Sequence, residues 1–403
     1  MQTDPTPHDW LNSDFLKKAL QNELKTDSIF IDKYDVEPAV TKGDHFASSL
    51  HRVTVNFTFV NERNTEIRKT LSLIVKSLPV DEEMCRMVSE AGTFKREADV
   101  YLRTLPAMYK LEQELSGQEA KYFTSKCLYS KSDFLVFEDL RDSGYKMADR
   151  RKGLDMSHCC VALKHLARFH ALSIVLLRKD KTAFSNFNEI FYKEERRHIL
   201  EKHFEPCVNS LASIVAKWEG YQRFGEKLRK FAENATNKML DVIKPSSNFI
   251  SVLNHGDFWV NNILFRYSES TGLVEDAKFV DFQIARYSSP VLDLQYFMNT
   301  SPSTDVRSNH MEELLEIYLI ELRGMLHSLG CGEIEVTFEE LKKEFEERSF
   351  FGVITALTLL HLVLADPNEK IVPEDERNPG FSGNLFKQEF QKLLLLYENK
   401  HWI

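Results

Sequence analysis

From Val53 to Val60 the side chains alternate between apolar and polar as far as Phe59, a period of two that suits a half-buried strand and no helix. Asn61 to Asn64 supplies turn residues, and Leu71 to Leu78 reads as the antiparallel partner. A helix of amphipathic spacing is predicted before this hairpin, over residues 10–24. Another follows it, from about Glu82 to Leu105, and then a strand at Phe134–Phe137. Past a polar connector, Glu138–Tyr145, the period changes to that of helices: Cys159–Leu177, about Asn188 to Val242 with a break expected at Pro206, Met311–Leu326, Phe338–Leu364 and Leu385–Asn399. With 403 residues the chain exceeds one ordinary domain. The expectation is an α+β fold of two lobes, a small β-rich one over 1–140 and a larger, mainly helical one over 141–403. A nucleotide cleft is expected at the seam near 138–145.

Composition narrows the function classes. A formal net charge of −9 argues against a nucleic-acid partner, whose phosphates want a basic face. The six cysteines show no CxxC pair and no Cys/His metal spacing, so reduced, buried thiols are expected. The first residues lack the basic and apolar regions of a signal peptide. The longest apolar stretch, Phe350 to Ala365, is short for a membrane span and carries His361, Thr355 and Thr358, so it reads as a core helix. The expected location is the cytoplasm.

The helical half is interrupted by Val252–Phe265 and Phe279–Gln283, where two carboxylates, Asp257 and Asp281, and the carboxamide of Asn262 stand against short apolar runs. Phosphoryl transfer from a nucleotide needs this inventory: a carboxylate to orient the attacking hydroxyl and accept its proton, and an oxygen-only pair to hold Mg²⁺ on the phosphates. Asp257 fits the first task, Asn262 and Asp281 the second. The plainer reading of Asp257 and Asn262 is an Asx turn that shapes a loop. His255 reads as a brace for that loop, His170 as a satisfied core histidine, and Asp293 as a cap or brace at the start of a helix. Trp259 is either loop packing or a pocket wall.

The combination His255-x-Asp257-x-x-x-x-Asn262 with Asp281-Phe-Gln is similar to the kinase-like small-molecule kinases: choline and ethanolamine kinases and aminoglycoside phosphotransferases. The longer strings His-Gly-Asp-Phe-Trp-Val-Asn-Asn-Ile and Val-Asp-Phe-Gln-Ile-Ala-Arg-Tyr resemble the insect ecdysteroid kinase-like (CHK kinase-like) family over nearly the whole chain. The resemblance implies a bilobal protein-kinase-like fold and a strand lysine held on the phosphates by a helix glutamate. Lys76, ionisable in an apolar strand, and Glu97, on the following helix, occupy those places. It further implies a phosphate loop at Gly43, Ser48 and Ser49, with one glycine where protein kinases have three. A hinge whose backbone reads adenine is implied at Glu138 and Leu140.

The leading expectation is an ATP- and Mg²⁺-dependent enzyme phosphorylating a hydroxyl of a small molecule. The resemblance points to an ecdysteroid or similar steroid alcohol, or to a hydroxylated xenobiotic in detoxification. The alternatives are a choline/ethanolamine-type kinase, a non-catalytic pseudokinase that only binds, and a metal-dependent hydrolase. No Asp-Phe-Gly or Ala-Pro-Glu landmark supports a protein kinase.

Overall fold

The computed structural model describes residues 10–39, 48–61, 63–366, 381 and 383–403. The candidate phosphate-loop residue Gly43 lies outside them. The chain divides into two compact units, one of residues 1–106 and 124–146, the other of 107–123 and 147–403.

The smaller unit is built on a five-stranded antiparallel sheet, β1 (Ile29–Pro38), β2 (Ser49–Val60), β3 (Glu66–Ser77), β4 (Cys127–Lys131) and β5 (Phe134–Glu138), in the order β1-β2-β3-β5-β4. The alternation that predicts β2 has its physical basis here: Val53, Val55, Phe57 and Phe59 are buried while the intervening residues are partly exposed. Helix α1 (Ser13–Leu24) is capped by Asn12, whose side chain accepts from the Phe15 amide at 3.1 Å. It lays Phe15, Leu16, Ala19 and Leu20 into one core with Val53, Val55, Leu73 and Val136. Trp10 stacks on Phe134 at 5.0 Å. The edge strands β1 and β4 escaped the sequence reading. In β1 apolar Ile29, Ile31, Tyr34 and Val36 are interleaved with Asp32, Lys33 and Asp35, and the register shifts between Ile31 and Lys33, which breaks the period of two.

The helix expected over 82–105 is interrupted. It forms α2 (Glu82–Ala91) and, after Gly92, α3 (Thr93–Asp99), followed by a wider π turn (Val100–Thr104) and α4 (Leu105–Ser116). After β6 (Lys146–Met147) the larger unit is mostly helical: α5 (Met156–Lys179), α6 (Arg197–Val215), α7 (Gln222–Ala232), α8 (Ala235–Val242), α9 (Val291–Thr300), α10 (Thr304–Asn309), α11 (Met311–Ser328), α12 (Phe338–Glu347), α13 (Ser349–Leu364) and α14 (Asn384–Asn399). Short strands β7 (Val252–Asn254), β8 (Ile263–Tyr267), β9 (Val274–Phe279) and β10 (Arg286–Ser288) interrupt them, with β8 antiparallel to β9 and β7 to β10. The architecture is α+β, a β-rich N-terminal part and a helical C-terminal part, as the change of period predicts.

Two expectations need correction. Pro206 does not break its helix: α6 runs through it, because Leu200, Phe204, Cys207, Val208 and Leu211 share a buried face whose packing outweighs the lost backbone bond. The stretch 338–364 is two helices bent by 52° at Arg348, not one. All six cysteines are free thiols. One helix among the described residues, Met156–Lys179, is long and apolar enough by composition to cross a membrane, and 56% of that window is buried within the protein.

Helices α9 and α13 approach closely at Gly352. A buried polar network runs beside it: Gln295 donates to the Phe345 carbonyl at 2.6 Å, Asn299 donates to Gln295 Oε1 at 2.8 Å, and Tyr397 Oη donates to Asn299 Oδ1 at 2.8 Å. A methyl group at Gly352 would stand 2.1 Å from Gln295 Oε1 and 2.2 Å from Asn299 Nδ2. Gly352→Ala is therefore expected to cost about 2–3 kcal/mol, read as a lower urea midpoint at unchanged slope.

Candidate active site

The loop between β7 and β8 carries His255, Asp257 and Asn262, and its shape is set from below by one buried carboxylate. Asp293, in the first turn of α9, accepts the backbone amides of His255 at 2.6 Å and Gly256 at 2.9 Å. It also accepts from His170 Nε2 at 3.2 Å. Burial pushes Asp293 up, but the hydrogen bond and charge of His170, with the Gly256 amide, more than offset it and hold the carboxyl below its ordinary range. An ionised Asp293 can only accept, so His170 gives it the Nε2 proton and takes the Tyr318 hydroxyl at Nδ1, 2.8 Å away. Burial lowers the His170 pKa. His170 is thus a satisfied core histidine, and Asp293 is the brace of the loop.

His255 closes the loop from the other side. Its Nδ1 accepts from the Asp257 amide at 3.3 Å, which leaves Nε2–H to donate to the Val280 carbonyl at 2.9 Å, next to Asp281. Burial lowers its pKa as well. Gly256 between them has φ +89°, and a Cβ there would lie 2.2 Å from the Ile284 carbonyl oxygen. Only glycine fits a backbone that turns this way so close to another.

Asp257 is half-buried, with both carboxylate oxygens engaged. Tyr296 Oη donates to Oδ1 at 2.6 Å, and Asn262 Nδ2 donates to Oδ2 at 2.8 Å and to the Asp257 carbonyl at 2.9 Å. Burial first, and then the charge of Asp281, raise the Asp257 pKa to about 6 against the hydrogen bonds from Tyr296 and Asn262. The structure therefore brings Asp257, Asn262 and Asp281 together. Asp281 sits at φ 69°, left-handed backbone that residues other than glycine adopt rarely and at a cost.

This donor set fits a hard cation. Asn262 gives both its amide bonds to Asp257 through Nδ2, so Oδ1 is its remaining ligating atom, and it joins carboxylate oxygens only. Among the described residues no group of three or more His, Cys, Asp or Glu could enclose a metal.

In the smaller unit, Lys76 Nζ lies 2.7 Å from Glu97 Oε2, with both side chains almost fully buried. Lys76 stands on β3 between Leu50 of β2 and Leu135 of β5, and Glu97 on α3, so sheet and helix packing fix the pair. Ser49 opens β2 opposite Ser77, and the buried Ser48 Oγ has no hydrogen-bond partner among the described residues. At the expected hinge, the Glu138 amide donates to the Lys126 carbonyl at 3.0 Å, and the buried Leu140 opens a short turn whose carbonyl accepts from Tyr145 at 3.1 Å. Between them Asp139 ties Arg52 at 2.6 Å and Ser72 at 2.7 Å.

Three residues around the loop escaped the sequence reading. Tyr296 had a signal, since it lies three residues after Asp293 on one helix and so shares its face. Arg286 had a weak one, a cation directly after the apolar Ile284 and Ala285. Glu189 had none: it meets Arg286 only in the folded chain, at 2.8 Å.

The sequence model of the ecdysteroid kinase-like family matches residues 42–331. Among curated proteins nothing matches. Among solved structures, the chain is similar to an ethanolamine kinase of Plasmodium vivax at 12% identity, over 98% of this chain and 94% of that one, with a TM-score of 0.45. It is similar to a choline kinase of Cryptosporidium parvum at 11% identity, over 96% and 97%, with a TM-score of 0.46. A GDP complex of an aminoglycoside 2'-phosphotransferase matches at 14% identity, over 97% and 98%, with a TM-score of 0.41.

The loop geometry yields a stability test. Gly256→Ala sets a methyl group against backbone that no rotamer change can clear, so a loss of at least about 3 kcal/mol is expected, measured as a fall in the thermal midpoint.

Proposed function

The chain is a member of the ecdysteroid kinase-like family, and from that premise we propose that it transfers the γ-phosphoryl group of ATP to a hydroxyl of a small molecule, a steroid alcohol such as an ecdysteroid or a hydroxylated xenobiotic. The observation that carries the reading is the Asp257 carboxylate, gripped on one oxygen by Tyr296 and on the other by Asn262, with Asp281 near enough to raise it.

In this reading Asp257 orients the acceptor hydroxyl and takes its proton as the new P–O bond forms. The two donors fix the plane of the carboxylate, so the remaining lone pairs point in a set direction. Asn262 Oδ1 and Asp281 would hold Mg²⁺, which neutralises charge on the phosphates. Lys76, aligned by Glu97, would contact the α- and β-phosphates. Ser48 and Ser49, with Gly43, would line the phosphate loop, and the backbone at Glu138 and Leu140 would meet the adenine. The two units would form the two lobes of a kinase, divided near residue 140.

Transfer of labelled γ-phosphate to a panel of steroid and other alcohols tests the proposal. Wild type should label at least one acceptor, and Asp257→Asn should lower kcat by about 10³-fold or more with little change in KM for ATP. No ATP consumption with any acceptor would favour a binding protein, and turnover without nucleotide would favour a hydrolase. Asp281→Asn separates ligation from folding, because asparagine tolerates the left-handed backbone. It should unfold within about 0.5 kcal/mol of wild type yet lose at least about 100-fold in transfer at low Mg²⁺, and full activity would remove Asp281 from the metal site.

A further inference from the structure

A cavity of about 570 Å³, within the range of small-molecule sites, opens in the larger unit between the segment 188–197, the C-terminal end of α8 and strand β10. Its three walls are tied to one another in pairs. Arg286 of β10 donates to Glu189 Oε2 at 2.8 Å, Arg197 donates to Asn237 Oδ1 of α8 at 2.8 Å, and Ser288 Oγ of β10 donates to the Ile243 carbonyl, just past α8, at 2.9 Å. Glu189 also stiffens its own segment, since Oε1 accepts the amides of Ile190, Phe191 and Tyr192 at 2.8–3.1 Å. The concavity is therefore preformed, and an occupant has little chain left to order. None of Asp257, Asn262 and Asp281 lines it.

Four cations and three carboxylates line the cavity, in a chain whose formal net charge is −9. Three of the cations are spent: Arg286 on Glu189, Arg197 on Glu194, and Lys244 on Asp241 at 2.6 Å. Burial pushes Glu189 up, but the charge of Arg286 and the amides of Phe191 and Tyr192 more than offset it and hold the carboxyl below its ordinary range. Lys193 is left over, with no carboxylate partner among the described residues. On an open surface such a lysine is simply solvated. Here it belongs to a concavity whose other charges cancel in pairs, so the lining keeps one positive charge. Much of the rest is apolar: Leu240, Ile243 and Pro245 with the rings of Tyr192 and Tyr287. A cation would meet the unpaired ammonium, an uncharged molecule would leave it unanswered, and a dianion would bring one charge too many.

We propose that this cavity binds a small monoanionic molecule with an apolar body, a carboxylate in the simplest case, whose charge pairs with Lys193. The ammonium donates to the anionic group in a charge-assisted hydrogen bond, while the apolar body lies against Leu240, Ile243 and the tyrosine rings. The cavity is joined to the loop of Asp257 through Arg286, whose second NH₂ group donates to the Gly256 carbonyl at 3.3 Å. An occupant therefore bears on the wall that steadies this loop. The site stands apart from the phosphotransferase reading, because nothing in it asks for phosphate to be moved.

Calorimetric titration with octanoate and with octanamide, alike in shape and different in charge, tests the proposal on wild type, Lys193→Gln, Lys193→Arg and Leu240→Trp. The Lys193 side chain is half-buried and makes no bond among the described residues, so its variants should unfold at the wild-type thermal midpoint. Wild type should bind octanoate at one saturable site, about fivefold or more tighter than octanamide, and the difference should shrink as salt rises. Lys193→Gln should bind the two alike, and Lys193→Arg should keep the preference. The indole of Leu240→Trp, set into the cavity, should weaken both by about tenfold or more. Should Leu240→Trp fail to fold, the lysine variants decide alone. No saturable octanoate binding by wild type, equal binding of acid and amide, a preference that survives in Lys193→Gln, or unaltered binding in a folded Leu240→Trp would overturn the proposal. All of these are binding readouts, so a failure to phosphorylate any alcohol leaves them standing.

Discussion

The larger unit hangs its chemistry on the Asp293 carboxylate. One ionised side chain, sealed from water, accepts two consecutive backbone amides of the loop and a histidine ring from the longest helix. A carboxylate in such a place is tolerable only when its lone pairs are filled by donors of fixed direction. The reverse dependence is as strong: without that acceptor, the amides of His255 and Gly256 would be buried and unpaired, and the backbone that aims Asp257 would have nothing to hold its turn. Helix α9 then contributes twice, since Tyr296, one turn further on, grips Asp257 itself. The position of Asp257 is therefore an outcome of how α9 packs, and α9 packs against α13 through the gap left by Gly352 and the amide network beside it.

The smaller unit solves a similar problem with opposite charges. Lys76 and Glu97 are both taken out of water, and their mutual attraction offsets that loss only because β3 and α3 deliver them at hydrogen-bond distance. Neighbouring Asp139 shows the same logic at the end of β5: burial alone would raise it, yet Arg52 and Ser72 hold it below its ordinary range. Polar groups in this unit are kept where they are by strands whose own register is set by apolar side chains on the other face.

How much of this was legible beforehand follows from the range of each interaction. Strands β2, β3 and β5 and most helices were readable because their periodicity is local. The grouping of Asp257 with Asn262 was readable because their spacing is short, and that of Asp281 because one hairpin, β8–β9, separates it from them. Strands β1 and β4 were not, since edge strands bury less and a register shift blurs their alternation. Pro206 misled because helix continuity there depends on packing of α6 against elements far along the chain. The Glu189–Arg286 pair is a contact over 97 residues, and no local pattern encodes such a distance.

The backbone of Asp281 has a consequence for how such a protein can change over generations. At φ 69° an aspartate is held in a conformation that costs about 1–3 kcal/mol and that glycine adopts freely. Exchange of this one residue for glycine would relax the chain while deleting the carboxylate. Selection for backbone ease alone would therefore favour glycine at this position, one substitution away.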